Sequence, residues 1–254
     1  MASATPKRPK VCSLFEKEAP RTRKAAPQAA SSRINAANAD SDLSTGVEAL
    51  LSFDLAPTYP SVLKVKDASL VLEFLHSREL SDSRMDDIYG ITRGNMQVMY
   101  EEAGWGWVKE DKMNELKHED ARFLIARGAD GQLAGFSSFR FMWDGDEGDD
   151  VEDDVLYVYE LQLDPWAKRR GLGRRMMQTL ELLANCRGMS KLMLTVLKLN
   201  KTAMSFYRHK MGYNVDPDSP SLWGQDDEPY EILSKATKHG LRRAEAKRTR
   251  QDNV

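Results

Sequence analysis

The feature that most constrains this sequence is a strand, a glycine-containing turn and a helix in direct succession. Val155–Leu163 is the most strongly strand-like run in the chain, and Gly173–Arg187 has the apolar spacing of a helix. Between them lies Lys168-Arg169-Arg170-Gly171-Leu172-Gly173-Arg174. Glycines at such a turn let backbone N–H groups approach a phosphate, and the helix start adds unpaired donors and a positive dipole end. The segment therefore predicts an anion-binding turn, although a tight loop before an exposed basic helix has the same pattern.

The spacing of the two glycines argues against two familiar phosphate sites. A dinucleotide-binding turn needs a third glycine, and none follows Gly173 at the required distance. A P-loop ends in Gly-Lys-Ser or Gly-Lys-Thr, which this turn lacks. Neither class of nucleotide site is predicted.

The rest of the chain predicts an α/β fold. Asp130-Gly131 between two apolar runs indicates a β-hairpin, and Asn200 can cap the helix that follows it. We expect one domain with a mixed, mostly antiparallel twisted sheet and helices on both faces. The other predicted elements are a short helix over Leu43–Leu55, a strand over Ser69–Leu80, a helix over Ser83–Ala103, the hairpin strands Arg122–Arg127 and Leu133–Trp143, a strand over Leu192–Leu197, a helix over Lys201–Met211, and short strands over Tyr213–Val215 and Tyr230–Ser234.

Charge is segregated along the chain, although the net charge is only -2. Residues 1–42 and 235–254 are basic and are predicted to be tails, the first disordered, on either side of a domain spanning 43–234. Between Asp144 and Asp154 there are eight acidic residues and no basic one. Basic ends suit nucleic-acid contact or nuclear import, but solvated tails explain them as well, and direct nucleic-acid binding is not predicted.

Composition narrows the class of protein further. No apolar run approaches the ~18 residues of a membrane span, and the N-terminus has no apolar core of a secretory signal. Cys12 and Cys186 are the only cysteines, too few for a disulfide framework or a zinc site, so no metal is expected. A protein of a reducing compartment, without membrane contact, is predicted.

Three segments together resemble the GNAT N-acetyltransferase superfamily: Tyr159-Glu160-Leu161-Gln162-Leu163, the turn at 168–174, and Asn200-Lys201-Thr202-Ala203 with Phe206-Tyr207. The likeness covers about 69–234 and implies acetyl-CoA as co-substrate. It implies that the turn holds the coenzyme A pyrophosphate, with Lys168 where the family usually has Arg or Gln. It also implies that the backbone of the strand pairs with the pantetheine arm. The implied cofactor-binding residues are Leu161, Gln162, Leu163, Arg169, Arg170, Gly171, Leu172, Gly173, Arg174 and Asn200.

A narrower resemblance, to the NatD type, rests on further segments in order. These are Met99-Tyr100-Glu101 with Trp105-Gly106-Trp107, Phe139-Arg140-Phe141, Val155-Leu156-Tyr157-Val158-Tyr159-Glu160, Met193-Leu194-Thr195-Val196, and Tyr230-Glu231-Ile232-Leu233-Ser234. The resemblance implies an N-terminal α-amino acetyltransferase for histones of the H-four and H-two-A types, which begin Ser-Gly-Arg-Gly. It implies histone tails as partners, a monomer, and residence in nucleus and cytoplasm.

Glu160 is the predicted general base. A carboxylate in an apolar central strand is costly unless it is paired or catalytic, so a buried Glu tied to a neighbouring donor is the alternative. Strict alternation would place Glu160 with Leu156, Val158 and Gln162 on one side of the strand. Tyr207 is the superfamily's usual candidate for protonating the departing thiolate, with plain packing as the alternative. Because Cys186 has no neighbouring histidine, direct attack of the amine without an acyl-enzyme is expected.

The NatD resemblance also implies a peptide groove. Its predicted members are Tyr100, Trp105, Tyr159, Thr195 and Tyr230, with Asp144, Asp146 and Asp218 as acidic residues for the substrate arginine. Two other functions stay open at this point. One is a GNAT enzyme that acetylates lysine side chains or a small amine, and the other is a non-catalytic reader of histone tails.

Overall fold

The computed structural model describes residues 28–39, 62–65, 68–144 and 153–251. Six α-helices lie in these ranges: α1 (Gln28–Ala39), α2 (Asp82–Glu102), α3 (Lys109–Leu116), α4 (Leu172–Cys186), α5 (Lys201–Ser205) and α6 (Lys238–Gln251). The strands are β1 (Val62–Val65), β2 (Ala68–His76), β3 (Arg122–Gly128), β4 (Leu133–Asp144), β5 (Asp153–Leu163), β6 (Lys191–Leu197), β7 (Asn214–Val215) and β8 (Tyr230–Ala236).

The strands form one sheet in the order β1-β2-β3-β4-β5-β6-β8-β7. Every neighbouring pair is antiparallel except β5 and β6, which are parallel and joined through α4. A parallel pair needs a long crossover, and α4 provides it with an apolar face that includes Met176, Leu180 and Leu183. The predicted α/β fold with a mixed, mostly antiparallel sheet is confirmed.

The parallel pair is hydrogen-bonded along only part of its length. Pairing runs from Val155 opposite Lys191 to Val158 opposite Leu194, and β5 then continues to Leu163 without a partner on that side. On its other side β5 stays paired with β4 as far as Leu163 opposite Gly135. The end of β5 therefore has an open edge in the middle of the sheet.

A β-bulge lies where β5 separates from β6. Ser138 of β4 is opposite Glu160, and Phe139 is opposite Val158, so Tyr159 is the extra residue of β5. Val155 and Tyr157 belong to the core cluster of Tyr100 and Trp105, whereas Leu161 packs against the core on the opposite face. The predicted strict alternation is therefore wrong. The bulge places Glu160 and Gln162 on the face of Tyr157 instead of the face of Leu156 and Val158.

Helices cover both faces of the sheet, as predicted. On one face α4 packs on a core that contains Leu156, Leu180 and, from α1, the buried Ala37. On the other face α2 and α3 pack on two clusters, one around Phe123 and one around Tyr100. The site described below lies at the second of these clusters, under α2 and α3.

The structure adds helices that were not predicted. Within the segment expected to be a disordered tail, residues 28–39 are helical, and Arg122 donates a hydrogen bond to the Asn38 carbonyl at 2.7 Å. The basic segment 235–254 contains α6, whose Gly240 lies against the Ser190 backbone. The strand predicted over Ser69–Leu80 ends at His76, because residues 77–79 form a 3₁₀ turn capped by His76 and Glu79. The helix predicted over Leu43–Leu55 lies outside the described residues.

Along the described ranges, no helix combines the length and the apolar character that crossing a membrane requires.

Candidate active site

The glycine turn before α4 has the backbone of an anion site. Arg169 has a φ of 59° and Gly171 a φ of 90°, so both lie in the left-handed region, which turns successive N–H groups toward one side. The first N–H groups of a helix have no intrahelical partners. At the start of α4, Gly171 provides no side-chain cap for them. Arg169, Arg170 and Arg174 around the turn are exposed. The turn thus offers aligned donors and positive charge to a phosphate.

Gly173 lies where the end of β5 and Phe206 approach α4. A Cβ atom there would lie 3.5 Å from Leu163 Cδ1 and 3.7 Å from Phe206 Cζ. These are ordinary van der Waals contacts, so an alanine would fit at this position. Gly173 is buried, and Gly171 is the exposed glycine of the turn.

The open edge of β5 lies beside this turn. Asp164 N donates to Ala134 O at 2.9 Å, and in an antiparallel pair the bonded residues alternate. The backbone groups of Gln162 and Glu160 therefore face β4, whereas those of Leu161 and Leu163 face the gap toward β6. This edge can pair with an extended amide-bearing chain such as pantetheine.

A cavity of about 90 Å³ occupies the gap between β5 and β6. Residues predicted to bind acetyl-CoA and residues predicted to bind the peptide both line this cavity, together with Tyr157, Leu197 and Met96. The predicted members are Tyr100, Trp105, Tyr159, Glu160, Leu161, Gln162, Thr195, Asn200 and Tyr207. The structure therefore brings the proposed base, the proposed acid and most of the proposed peptide groove together at the end of β5.

Glu160 is buried and both of its carboxylate oxygens have partners. Lys112 of α3 donates to Oε1 at 2.9 Å, and the Gln162 amide donates to Oε2 at 2.7 Å. The Lys112 ammonium also donates to Glu115 Oε1 at 2.9 Å and to the Tyr100 hydroxyl at 3.3 Å. A buried carboxylate needs such partners, and an ion pair held by hydrogen bonds provides them.

The charged groups of this cluster shift one another's pKa values. Burial alone would lower the pKa of Lys112, but the charges of Glu115 and Glu160 outweigh burial and raise the pKa well above its ordinary value. Burial raises the pKa of Glu115, and the positive charge of Lys112 partly offsets this rise. Burial also raises the pKa of Tyr100. At neutral pH, Lys112 is therefore an ammonium and Tyr100 keeps its proton.

Tyr207 lies in an unusual piece of helix. After α5, residues 206–210 form a π-helical turn, a feature that often occurs at functional sites. Burial, and then the negative charge of Glu160, raise the pKa of Tyr207, so its hydroxyl keeps its proton at neutral pH. Asn200 caps α5 as predicted, because its side chain accepts a hydrogen bond from Ala203 N at 3.0 Å.

Aromatic side chains form one wall of the site. Tyr100 and Trp105 meet edge to face with ring centroids 5.3 Å apart, and Tyr230 is 5.8 Å from Trp105. Thr195 and Tyr157 share a hydrogen bond at 2.5 Å. The Tyr159 ring lies under the Arg140 guanidinium at 4.2 Å, and its hydroxyl contacts Met142 Sδ. Tyr230 packs against Trp105 but does not line the cavity itself.

Asp144 and Asp218, the two predicted acidic residues that the structure describes, do not line the cavity. Asp144 is buried at the end of β4. The Lys191 ammonium lies 2.8 Å from the Asp144 carboxylate and 3.1 Å from the Asp216 carboxylate. Asp218 is exposed on the next turn, and its N–H donates to Asp216 Oδ1. Burial raises the pKa of Asp144 to about 6 although Lys191 opposes the change. Asp146 lies outside the described residues.

Sequence reasoning missed Lys112, Glu115 and Asn95. Lys109–Leu116 has five charged residues out of eight, a composition typical of an exposed loop, so α3 was not predicted. Good helix formers and acidic residues in the first turn were the available signal. Nothing in that pattern shows that Lys112, rather than its charged neighbours, is buried.

Cys186 is exposed at the last residue of α4, about 20 Å along the helix from the glycine turn. This position is far from the cavity and agrees with a mechanism without an acyl-cysteine. Within the described part of the chain, no group of three or more His, Cys, Asp or Glu side chains is arranged to hold a metal ion.

The fold is an α/β fold whose parallel strand pair opens beside a turn suited to an anion. A family model described as the acetyltransferase (GNAT) family matches residues 86–213, about half of the chain. The chain belongs to the GNAT acetyltransferase family. The family's description is that of acetyltransferases, and the turn and strand edge described above suit acetyl-CoA as co-substrate.

Three similar proteins illustrate the family. Streptothricin acetyltransferase of Streptomyces lavendulae is 28% identical over 128 residues, which are 50% of this chain and 59% of that protein. Mycothiol acetyltransferase of Clavibacter michiganensis is 38% identical over 100 residues, 39% of this chain and 29% of that protein. The chain thus spans less than two thirds of the length of these curated relatives. The crystal structure of PaiA N-acetyltransferase from Thermoplasma acidophilum in complex with coenzyme A is 22% identical, covers 65% of this chain and 98% of that one, and has a TM-score of 0.46.

Proposed function

We propose that this enzyme transfers the acetyl group of acetyl-CoA directly to the N-terminal α-amine of histones that begin Ser-Gly-Arg-Gly. The position of Glu160 is the observation that best supports direct transfer. Its buried carboxylate lies in the gap between β5 and β6, between an open strand edge suited to pantetheine and an aromatic wall suited to a peptide. The strand edge and the carboxylate share this gap, and the glycine turn lies beside the end of β5.

In this mechanism Glu160 accepts the proton of the incoming ammonium, directly or through one water. A free α-amine has a pKa of ~7.7–8, so little driving force is needed at neutral pH. The neutral amine nitrogen then attacks the thioester carbonyl carbon, the carbon–sulfur bond breaks, and the nitrogen loses its second proton to water as the amide forms. Lys112 and Gln162 fix both oxygens of Glu160 and keep the carboxylate oriented for this step.

Tyr207 is the proposed donor of the proton that the departing thiolate takes. Its raised pKa keeps the proton on the hydroxyl until the thiolate forms. The same raised pKa makes Tyr207 a weaker acid than an exposed tyrosine, so its contribution depends on the negative charge that develops on sulfur.

The substrate assignment rests on the NatD resemblance and on charge. Tyr100, Trp105, Tyr159 and Thr195 line the cavity where a small first residue would lie. On the same face, Asp218 is exposed beside the buried Asp144 and Asp216, and an exposed carboxylate there favours a basic peptide. A histone substrate would place the enzyme in nucleus and cytoplasm.

One experiment tests this function. The protein is incubated with acetyl-CoA and Ser-Gly-Arg-Gly-Lys peptides, either free or blocked at the α-amine, and the acetyl group is located by mass spectrometry. We expect acetylation of the free peptide at its α-amine and no reaction of the blocked peptide. Acetylation of the lysine in both peptides would assign the enzyme to side-chain acetylation.

A small amine is the second candidate substrate. Two curated relatives are a streptothricin and a mycothiol acetyltransferase, and the cavity of about 90 Å³ suits a compact acceptor. Spermidine and an aminoglycoside, assayed beside the peptide, separate the two candidates. Faster turnover of either small amine at equal concentration would replace the histone assignment.

A further inference from the structure

A chain of hydrogen bonds runs from the glycine turn to Glu160. Lys168 Nζ donates to Asn95 Oδ1 at 2.8 Å, and Asn95 Nδ2 donates to Gln162 Oε1 at 3.0 Å. Gln162 Nε2 then donates to Glu160 Oε2 at 2.7 Å. Asn95 Nδ2 also donates to the carbonyl of Leu163 at 3.0 Å. Asn95 belongs to α2, so this helix connects the turn with the carboxylate.

The direction of every bond in this chain follows from chemistry. An ammonium only donates and an ionised carboxylate only accepts, so the two ends fix both amides between them. The Asn95 oxygen must face Lys168, and its nitrogen must face Gln162 and Leu163. Neither amide can flip without placing two acceptors or two donors against each other.

The two ends of the chain differ in their surroundings. Glu160 and Gln162 are buried, so their hydrogen bond is protected from water. Lys168 is exposed at the start of the turn, where a phosphate competes for its ammonium. A charge-assisted bond to phosphate is stronger than a bond to a neutral amide.

We propose that Asn95 is a positioning residue with two opposed effects, an inference that rests on the proposed function of Glu160. Asn95 holds the Gln162 amide against Glu160, which favours turnover. At the same time it holds the Lys168 ammonium away from the phosphates of coenzyme A, which weakens binding. Removal of Asn95 should therefore slow turnover and strengthen cofactor binding together.

The test compares variants of α2 in two measurements, the coenzyme A dissociation constant by calorimetry and kcat at saturating acetyl-CoA. For Asn95→Leu, which keeps the size but removes both hydrogen-bonding groups, we expect kcat to fall about tenfold and coenzyme A to bind about threefold more tightly. Gln97→Leu is the matched control, because Gln97 is an amide on the same helix whose side chain forms hydrogen bonds with Arg93 and Glu101. It should change neither quantity.

Two further variants separate the effects. Asn95→Asp keeps an acceptor for Lys168 but loses the donor, so kcat should fall while coenzyme A binds more weakly than in Asn95→Leu. In Asn95→Leu combined with Lys168→Met the tighter binding should disappear, because no ammonium remains to reach the phosphate. Equal loss of binding and turnover in Asn95→Leu, or no change in either, would overturn the proposal.

The calorimetry does not depend on the acceptor. If none of the peptides or amines is acetylated, the proposed function fails. Tighter binding of coenzyme A to Asn95→Leu, abolished by Lys168→Met, would still support the tether of Lys168, and its absence would overturn it.

Discussion

Two clusters on one face of the sheet each contain one lysine and two carboxylates, but the backbone around them differs. In each, a lysine lies between two carboxylates: the buried Lys112 between Glu160 and Glu115, at 2.9 Å from both, and the partly buried Lys191 between Asp144 and Asp216. They lie about 20 Å apart along β4, from Ser138 opposite Glu160 to Asp144.

The backbone beside each cluster explains the difference. Around Lys191 the strands β5 and β6 are still paired, and Ser190 N donates to Asp154 O at 2.7 Å. Around Glu160 the strands have separated, and the backbone of Leu161 faces a cavity. A buried charge cluster is therefore not a site in itself. It becomes a candidate site where the sheet leaves backbone groups for a ligand.

The largest expected effect follows from removing the base. Glu160→Gln keeps the shape and the contact with Lys112 but accepts no proton, so kcat should fall by about 10²–10⁴ with coenzyme A affinity retained. Steady-state kinetics and calorimetry measure the two quantities. Glu181→Gln is the control, since Glu181 pairs with Lys235 on the other face of the sheet. Near-normal turnover of Glu160→Gln would make the two clusters equivalent, both structural.

The lysines provide the next comparison. Removing one partner of a buried ion pair costs about 3–5 kcal/mol, so Lys112→Met and Lys191→Met should lower the free energy of unfolding by similar amounts. Urea denaturation measures this loss. Turnover per folded molecule should fall only in Lys112→Met, because Lys112 orients Glu160. An equal loss of turnover in Lys191→Met would show that the far cluster takes part in catalysis.

The pH dependence of stability should reveal Asp144. Its pKa is raised by burial to about 6 from an ordinary 3.8, so the folded state binds this proton more tightly than the unfolded state. The stability contribution of Asp144 is present below pH ~4 and is lost as the pH rises through ~6, by at most about 3 kcal/mol. Unfolding in urea at several pH values should show this decline in the wild type and a flatter profile in Asp144→Asn. Parallel profiles would contradict it.

The smallest effect concerns the backbone of the turn. Gly171 has a φ of 90° and open space around its Cα, so Gly171→Ala costs only backbone strain, about 1–2 kcal/mol. Coenzyme A should bind about 5- to 30-fold more weakly if the turn relaxes to relieve that strain. Gly90→Ala in α2 also meets open space but is helical, and it should stabilise the fold slightly without changing affinity. Unchanged affinity in Gly171→Ala would remove the turn from the binding site.

Local signals in the sequence predicted much of the fold. The apolar run of β5, the glycines before α4 and the cap at Asn200 are each determined by residues close in sequence. Glu160, Tyr207 and the aromatic wall were predicted from family resemblance, and the structure brings them to one cavity. Their catalytic and binding roles stay predictions.

What the sequence could not predict depends on pairing between distant segments. The bulge at Tyr159 arises from the register of β5 on β4, and it reverses the face on which Glu160 lies. The burial of Lys112 depends on how α3 packs over that face. The pairing of Asp144 with Lys191 joins residues 47 positions apart. None of these features leaves a periodic pattern in the sequence.

Hydrogen exchange with and without coenzyme A tests the central claim most directly, because it compares the two ends of β5 in one experiment. If the open edge and the glycine turn hold the cofactor, backbone amides over 160–164 and 171–175 should gain protection on binding. Amides beside Lys191 and Asp216 should exchange as before. Protection centred on the Lys191 cluster, with none over 160–175, would contradict the account.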